Sequence, residues 1–296
     1  MRTGRHGRRR RWPRALTPWM FLLLPLAFVV TFSMVPIATM IVYSFTDWDG
    51  ISPDYAFTGL ANYTDIATRP QLFKVFLTSL YYLGASVVQI VLALYFATIL
   101  SFNVRFRNFF KGVLFFPYLI NGVAIGFVFL YFFQPGGTFD TFLAFFGVEG
   151  RLWLGDPDLV NYSLAGVSVW RYLGLNFVLF LGGIQSISPD LYEAAEIDGA
   201  SRWDQFRHII LPLLRPLIGL SVILAVSGSL SVFEIPYIMT GGAGNSETFV
   251  IQTVKLAFQF NKTGLASAAA VVLLVLILIV TWVQRRLFPE ERTETV

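Results

Sequence analysis

The sequence predicts an all-α integral membrane protein with about six transmembrane helices, both termini cytoplasmic, and a short cytoplasmic helix between spans four and five. Three observations carry this reading. Apolar runs are long enough to cross hydrocarbon; charged residues make up only 14% of the chain against 55% hydrophobic ones; and basic residues alternate in density from one connecting segment to the next. A soluble domain carries about 25% charge, and a mean hydropathy of +0.64 calls for lipid as the solvent.

A helix needs roughly 20 residues to span about 30 Å of hydrocarbon. Six runs qualify: Trp19 to Phe45, Val75 to Phe102, Val113 to Phe133, Tyr162 to Gln185, Leu213 to Pro236 and Gly264 to Val283. The first follows a basic stretch, as a secretory signal does. Its apolar core is longer than a signal's and no small-residue cleavage site follows, so it reads as a retained span.

Orientation follows from Lys and Arg, which stay on the cytoplasmic side. With the N-terminus inside, that side holds Arg2, Arg5, Arg8, Arg9, Arg10, Arg11 and Arg14, then Arg105, Arg107 and Lys111. Arg202, Arg207, Arg215, Arg285, Arg286 and Arg292 complete it, sixteen in all. The other side holds six: Arg69, Lys74, Arg151, Arg171, Lys255 and Lys262. The organisation is then a basic tail over 1–18, a six-helix unit over 19–288 and a short tail over 289–296. Out of context the arginine block would suggest nucleic acid; directly before a span it marks the cytoplasmic face and touches anionic lipid headgroups. No nucleic-acid partner is expected.

The outer segments, Asp47 to Lys74, Gln134 to Asn161 and Tyr237 to Thr263, are rich in Gly, Pro, Asp and Asn and too short for a separate domain. Trp48 and Trp153 are candidate interface anchors within them. Cysteine is absent, which excludes disulfides and thiolate metal sites. The two histidines, His6 in the basic tail and His208 beside Arg207, read as surface residues and not as a metal pair. No cofactor is called for.

The segment over 188–212 is the most informative. Ser188 can cap a helix, Pro189 suits its first position, Asp190 complements the positive dipole end and Gly199 supplies a left-handed stop. Leu191, Ala194, Ala195 and Asp198 fall on one face, and the two alanines make that face low enough for a partner to approach the backbone. A second helix follows, capped by Ser201 with Asp204 three residues on, with Trp203, Phe206 and Ile210 on one side before Pro212. Periodicity alone equally allows an amphipathic helix lying on the membrane surface.

Here the sequence resembles a known signature. Glu193-Ala194-Ala195, Asp198-Gly199-Ala200, Phe206, Ile209, Leu211-Pro212 and Pro216 are similar to the motif of membrane subunits of binding-protein-dependent ABC importers. Trp153-Leu154-Gly155-Asp156-Pro157, Trp170, Gly182 to Ile187 and Phe233 to Gly242 narrow the resemblance to carbohydrate-uptake permeases of the maltose and glycerol-phosphate type. One departure stands after the glycines, where Ala243-Gly244 replaces the Gly-Pro common in that family, and a modest change in the outer loop is expected. The resemblance implies that Glu193, Ala194, Ala195, Asp198 and Gly199 belong to a coupling helix that docks on an ATPase subunit. It also implies a second homologous permease chain, two ATPase subunits, an extracytoplasmic sugar-binding protein and a multi-pass place in a bacterial or archaeal plasma membrane.

The chain has no P-loop. Its lysines, Lys74, Lys111, Lys255 and Lys262, are never preceded by glycine, whereas phosphate cradling needs a Gly-rich turn followed by Lys. Energy therefore comes from another subunit or from an ion gradient. A secondary transporter places ionisable groups deep in the membrane, and the six runs contain one carboxylate, Glu234, read as lying near the outer end of the fifth. An intramembrane enzyme is weaker still, for want of Cys, spanning His or paired carboxylates; no catalytic residue is assigned.

The substrate path is sought where polar and aromatic residues interrupt apolar helices. The fourth run offers Trp170, Arg171, Tyr172 and Asn176, and the fifth offers Ser227, Gly228, Ser229, Ser231, Phe233 and Glu234 before Pro236 ends or kinks it. Small residues also serve plain helix packing. By resemblance the sugar contacts fall at Arg171, Tyr172, Leu175, Gly228, Ser229 and Val232, with Asn176 and Phe233 beside them. Apolar Val232 stands where a maltose-type site has an amide, so a cargo other than maltose is expected.

Overall fold

The computed structural model describes residues 17–102 and 104–287. The arginine tail with His6, and the tail over 289–296 with Arg292, lie outside the described residues. Helix α1 runs over residues 17–43 and is widened to a π-turn at Val30–Met34. Pro36 explains the widening: its ring cannot donate and would crowd the carbonyl four residues back. The Val35 amide bonds the Val30 carbonyl instead. The same device recurs at Phe206–Ile210, where the Leu211 amide reaches the Phe206 carbonyl one residue before Pro212.

Helix α2 spans Pro70–Ser101. The third apolar run is not one straight crossing, as the sequence reading took it: α3 (Arg107–Leu119) and α4 (Gly122–Phe132) meet at 98°. Ile120 and Asn121 are extended between them, and Asn121 caps α4 by accepting the Val123 amide at 2.9 Å. A capping Asn ahead of Gly ends one helix and starts another however apolar its flanks. A short helix, α5 (Thr138–Ala144), precedes α6 (Val160–Gln185), and α7 is Pro189–Ile197.

The fifth run also breaks, into α8 (Arg215–Leu230) and α9 (Glu234–Thr240). The break lies at Ser231–Phe233, upstream of Pro236, which sits in the first turn of α9 where it disturbs no helical bond. In a continuous helix the Pro236 ring would have faced the Val232 carbonyl. That carbonyl accepts the Thr248 hydroxyl at 2.7 Å, which satisfies it as a low-dielectric setting requires. The last outer segment is no plain loop: it contains the apolar helix α10 (Phe249–Phe258), capped by Thr248, ahead of α11 (Thr263–Leu287). Among the described residues five segments are thus long and apolar enough to cross a membrane, α8 and α9 together counting as one, and the bent α3–α4 pair adds a sixth where it is counted as one span.

Among the described residues the architecture is helical, with one isolated antiparallel bridge between Thr46 and Phe57. The core follows α6. Ala93 and Ala97 of α2 are fully buried and let that helix approach Leu173, Phe177 and Phe180. Ile210 and Leu214, from the segment after α7, join the same cluster, and Tyr192 of α7 packs against it. Towards the opposite end, Tyr82, Ile125, Leu164, Ile235 and Met239 form a second cluster. Trp48 and Trp153 are half-buried and donate their indole N–H groups to the Ser52 carbonyl and Asp140, which braces the loops that hold them.

At Gly174 of α6, a Cβ would come within 2.6 Å of the Leu114 carbonyl and 2.9 Å of the Phe115 Cα. Those atoms are backbone of α3 and cannot swing aside. Gly174→Leu is expected to lower the stability of the folded chain by about 1–3 kcal/mol through overpacking, whereas Gly166→Leu, where a Cβ meets nothing within 4 Å, is expected to behave like the parent. Thermal unfolding followed by fluorescence-detected size exclusion checks both.

Candidate functional site

Breaks in α3–α4 and α8–α9 fall at one level of the bundle. Glu234 opens α9 and Gly122 opens α4, and a Cβ on Gly122 would collide with both the Glu234 carboxylate and the Arg171 guanidinium. Arg171 is the twelfth residue of the 26-residue α6, about 17 Å from its start at 1.5 Å per residue. Its Nη1 donates to Glu234 Oε2 at 2.6 Å, with side-chain exposures of 12% and 38%. Glu234 is therefore not an outer-end carboxylate but half of an ion pair near the middle of a span. The proline-centred reading misplaced it because the helix breaks before Pro236 and folds Glu234 back towards α6.

Against this pair lies a cavity of about 460 Å³ lined from α2, α6, α8 and the α8–α9 break. It brings together Tyr172, Leu175, Asn176, Gly228, Ser229, Val232 and Phe233. Arg171 stands behind the wall, its guanidinium 5.0 Å from the centroid of the Tyr172 ring and on Glu234, which itself lines the cavity. Asn176 and Ser229 are buried at 8% and 4% exposure. The Ser229 hydroxyl donates back to the Val226 carbonyl, so that side chain contributes shape and a lone pair more than a free donor. Phe233 stacks on Tyr237 with centroids 4.7 Å apart.

The sequence reading confined the path to the fourth and fifth runs and so missed α2. Tyr82, Ser86 and Gln89 of α2 line the same cavity. Gln89 Nε2 donates to the Tyr172 carbonyl at 3.2 Å, tying α2 to α6 at the wall. The hydroxyls of Tyr82 and Ser221 are buried without hydrogen-bond partners, an arrangement that favours a polar guest. A glutamine at mid-span was the available signal, since an amide inside hydrocarbon needs a partner.

The second region is the segment over 188–212. Ser188 makes no side-chain cap bond, contrary to expectation. The other end of α7 closes as expected: Gly199 sits at φ +78, its amide bonds Glu196 O at 3.1 Å and the Ala200 amide bonds Ala195 O at 2.9 Å, the paired C-terminal motif that requires a left-handed residue. Ser201 and Asp204 form the reciprocal capping box. Hydrogen bonds from the Ser201 hydroxyl and then its amide hold the Asp204 carboxyl below the usual carboxylate range. His208 is exposed and its Nδ1 lies 3.1 Å from the Asp204 carbonyl. No group of metal-ligating side chains occurs among the described residues. Tyr192 turns towards the core, while Leu191, Glu193, Ala194 and Asp198 remain exposed, with Ile197 at 87% and Trp203 at 64%. A row of small and apolar residues thus faces away from the bundle.

Comparisons with known proteins agree with this anatomy. Residues 89–293 match the family model described as binding-protein-dependent transport system inner membrane component. The multiple sugar-binding transport system permease protein MsmF of Streptococcus mutans is 31% identical, over 91% of this chain and 94% of that protein. The trehalose/maltose transport system permease protein MalF of Thermococcus litoralis is also 31% identical, over 87% of this chain and 88% of its own length. Among solved structures, a chain of a bacterial alginate ABC transporter, in complex with an alginate pentasaccharide-bound periplasmic protein, superposes with a TM-score of 0.79 at 21% identity. It covers 93% of this chain and 94% of that one.

Removing one partner of an ion pair set within the spanning helices leaves the other charge without its counter-charge. Glu234→Gln is therefore expected to lower the melting temperature and yield of the chain, and Arg171→Gln/Glu234→Gln is expected to recover most of the loss. A double-mutant cycle on thermal stability measures the coupling; additive losses would mean that the two side chains do not act as a pair.

Proposed function

This chain belongs to the binding-protein-dependent transport system inner membrane component family, and on that premise we propose that it forms half of the translocation pathway of an ATP-driven importer for a neutral sugar. It is a multi-pass membrane permease of the ABC class, a transport subunit and not an enzyme. In this reading residues 19–288 act as one permease unit with both termini cytoplasmic. A second homologous permease supplies the other half of the path, two ATPase subunits supply the energy, and an extracytoplasmic sugar-binding protein delivers the cargo.

The observation that carries the proposal is the cavity beside the Arg171–Glu234 pair. Its volume falls within the usual range of small-molecule sites, and it mixes aromatic faces at Tyr172 and Phe233 with the Asn176 amide and partnerless hydroxyls at Tyr82 and Ser221. A saccharide has complementary needs: C–H faces for rings, hydroxyls for amides and hydroxyls. The charge of the cavity's one ionisable carboxylate is offset by Arg171, which favours a neutral cargo over an acidic one, and apolar Val232 favours a sugar other than maltose. Glu234 is structural in this account and is not the coupling group of an ion-driven transporter.

On the other face, the exposed row over Leu191, Glu193, Ala194, Ile197 and Asp198, with Ala195 half-buried within α7, is the docking surface for an ATPase subunit. Its motion reaches the cavity through Ile210, Leu214 and Tyr192, which pack on the α2–α6 core. Adding a side chain at Gly199 meets nothing within 4 Å, so Gly199→Val acts through the backbone alone, with strain of about 1 kcal/mol or more.

Two tests follow from this reading, both in proteoliposomes with the complete transporter, internal ATP and binding protein outside. Tyr172→Ala and Ser229→Phe are expected to reduce uptake at least about tenfold, a loss corresponding to 1.4 kcal/mol or more, with the assembled complex and its basal ATP hydrolysis retained. Unaltered uptake in both variants, across a panel of neutral and acidic sugars, would place the pathway elsewhere. Gly199→Val is expected to hydrolyse ATP without transport; normal uptake at normal assembly would remove the docking role from α7.

A further inference from the structure

We propose that α5 and the turn after it, on the side of the membrane opposite α7, form a rigid aromatic wedge that inserts into the lipid leaflet. The inference depends on the chain's crossing of the bilayer and not on its cargo. Helix α5 is amphipathic within two turns. Phe139 faces the protein, with ring centroids 5.2 Å from Phe132, 5.4 Å from Phe133 and 4.8 Å from Trp153. The other face carries Phe142, Phe145 and Phe146 at 57%, 86% and 64% exposure. From Thr141 to Val148 there is no charged residue.

The face is held in place. Asp140 accepts the Trp153 indole N–H at 2.7 Å and the Gly136 amide at 2.8 Å, and these bonds hold its carboxyl below the usual carboxylate range. The end of the helix is closed by Gly147 at φ +73, with the Gly147 amide on Ala144 O and the Val148 amide on Leu143 O. Three aromatic rings fixed outward in this way have no route to self-burial, and packing of Phe146 edge-on against Phe142 and Phe145 covers only part of each.

Lipid is the occupant because the neighbouring helix α4, part of an apolar membrane-crossing candidate, exposes apolar side chains beside this face. On α4, Phe127, Val128 and Tyr131 are 49%, 64% and 64% exposed, and Tyr131 shares one shallow groove with Gln134, Thr141 and Phe142. Exposed apolar side chains therefore stand on both sides of the turn, on α4 and on α5, with Gln134 and Thr138 exposed between them. Aromatic side chains at this level occupy the boundary between headgroups and acyl chains. No basic residue lies within the wedge, so its insertion is apolar and does not require anionic lipid.

The absence of cysteine from the chain permits a single reporter. Phe145→Cys carries a nitroxide spin label in the assembled transporter, built from cysteine-free partner subunits and placed in nanodiscs of zwitterionic lipid. Power-saturation spectroscopy then compares collisions with oxygen and with a water-soluble nickel chelate. The expected result is several-fold greater oxygen accessibility and a depth of about 5–10 Å below the headgroups, unchanged when anionic lipid is added or when the binding protein is present. Asp158→Cys, in an exposed polar turn, provides the aqueous control. Accessibility of Phe145→Cys equal to that control would overturn the proposal, as would protection that occurs only on adding binding protein, which would make the face a protein docking surface. Should Phe145→Cys fail to assemble, Val148→Cys reports from the same face with the same two outcomes.

Discussion

The Arg171–Glu234 ion pair is the interaction around which the membrane part of this protein is arranged. A guanidinium at the middle of a 26-residue span is tolerable only with a counter-charge in contact, and no straight neighbouring helix supplies one. Two broken helices meet the need. The break before α9 turns Glu234 towards α6, and the sharp bend between α3 and α4 lets Gly122 pass against the pair where any side chain would collide. Each break would be costly in lipid if it left backbone groups bare. Asn121 and Thr248 meet part of that need, the first by capping α4 and the second by bonding the Val232 carbonyl.

The same arrangement leaves room for the cavity. Where α8 stops short, the space beside α6 is filled neither by helix nor by large side chains, and Gly228, Ser229 and Asn176 border it. Polar atoms that would weaken a lipid-facing helix face inward here. Gln89 on the Tyr172 carbonyl makes α2 part of the wall, so that three helices and a break share one small chamber.

Helix α6 is the common member of both ends. Its second half packs with Ala93 and Ala97 and receives Ile210 and Leu214 from the segment after α7, while its first half holds Val160, Leu164 and Arg171. The segment after α7 and α6 thus share one packed cluster, and at Gly174 α6 comes close against the α3 backbone. The π-turn ahead of Pro212 adds a locally widened helix between α7 and α8, in a place where packing is otherwise dense.

Much of the membrane architecture was legible in the sequence because hydrocarbon thickness sets a length, and runs of apolar residues meet it wherever they occur. The motif around Glu193 to Ala200 was legible for a similar reason: a glycine stop and a Ser201–Asp204 box are local chemistry, complete within a few residues, and both formed as expected. Ser188 did not: it holds the N-cap position of α7 without a side-chain cap bond. The breaks at Asn121 and Ser231 were hidden by hydropathy, which counts apolar residues and is blind to backbone direction. Helix α10 was hidden by the glycines and polar residues around it. What the sequence by itself determined was composition-driven: a helical membrane protein, the positions of its crossing segments and the family motif on α7. What only the tertiary structure decided was partnership across long separations, Arg171 with Glu234, Gln89 with Tyr172 and Val232 with Thr248. Such pairs depend on where broken helices point in space, and that direction is set by the packing of the whole bundle and not by any local run of residues.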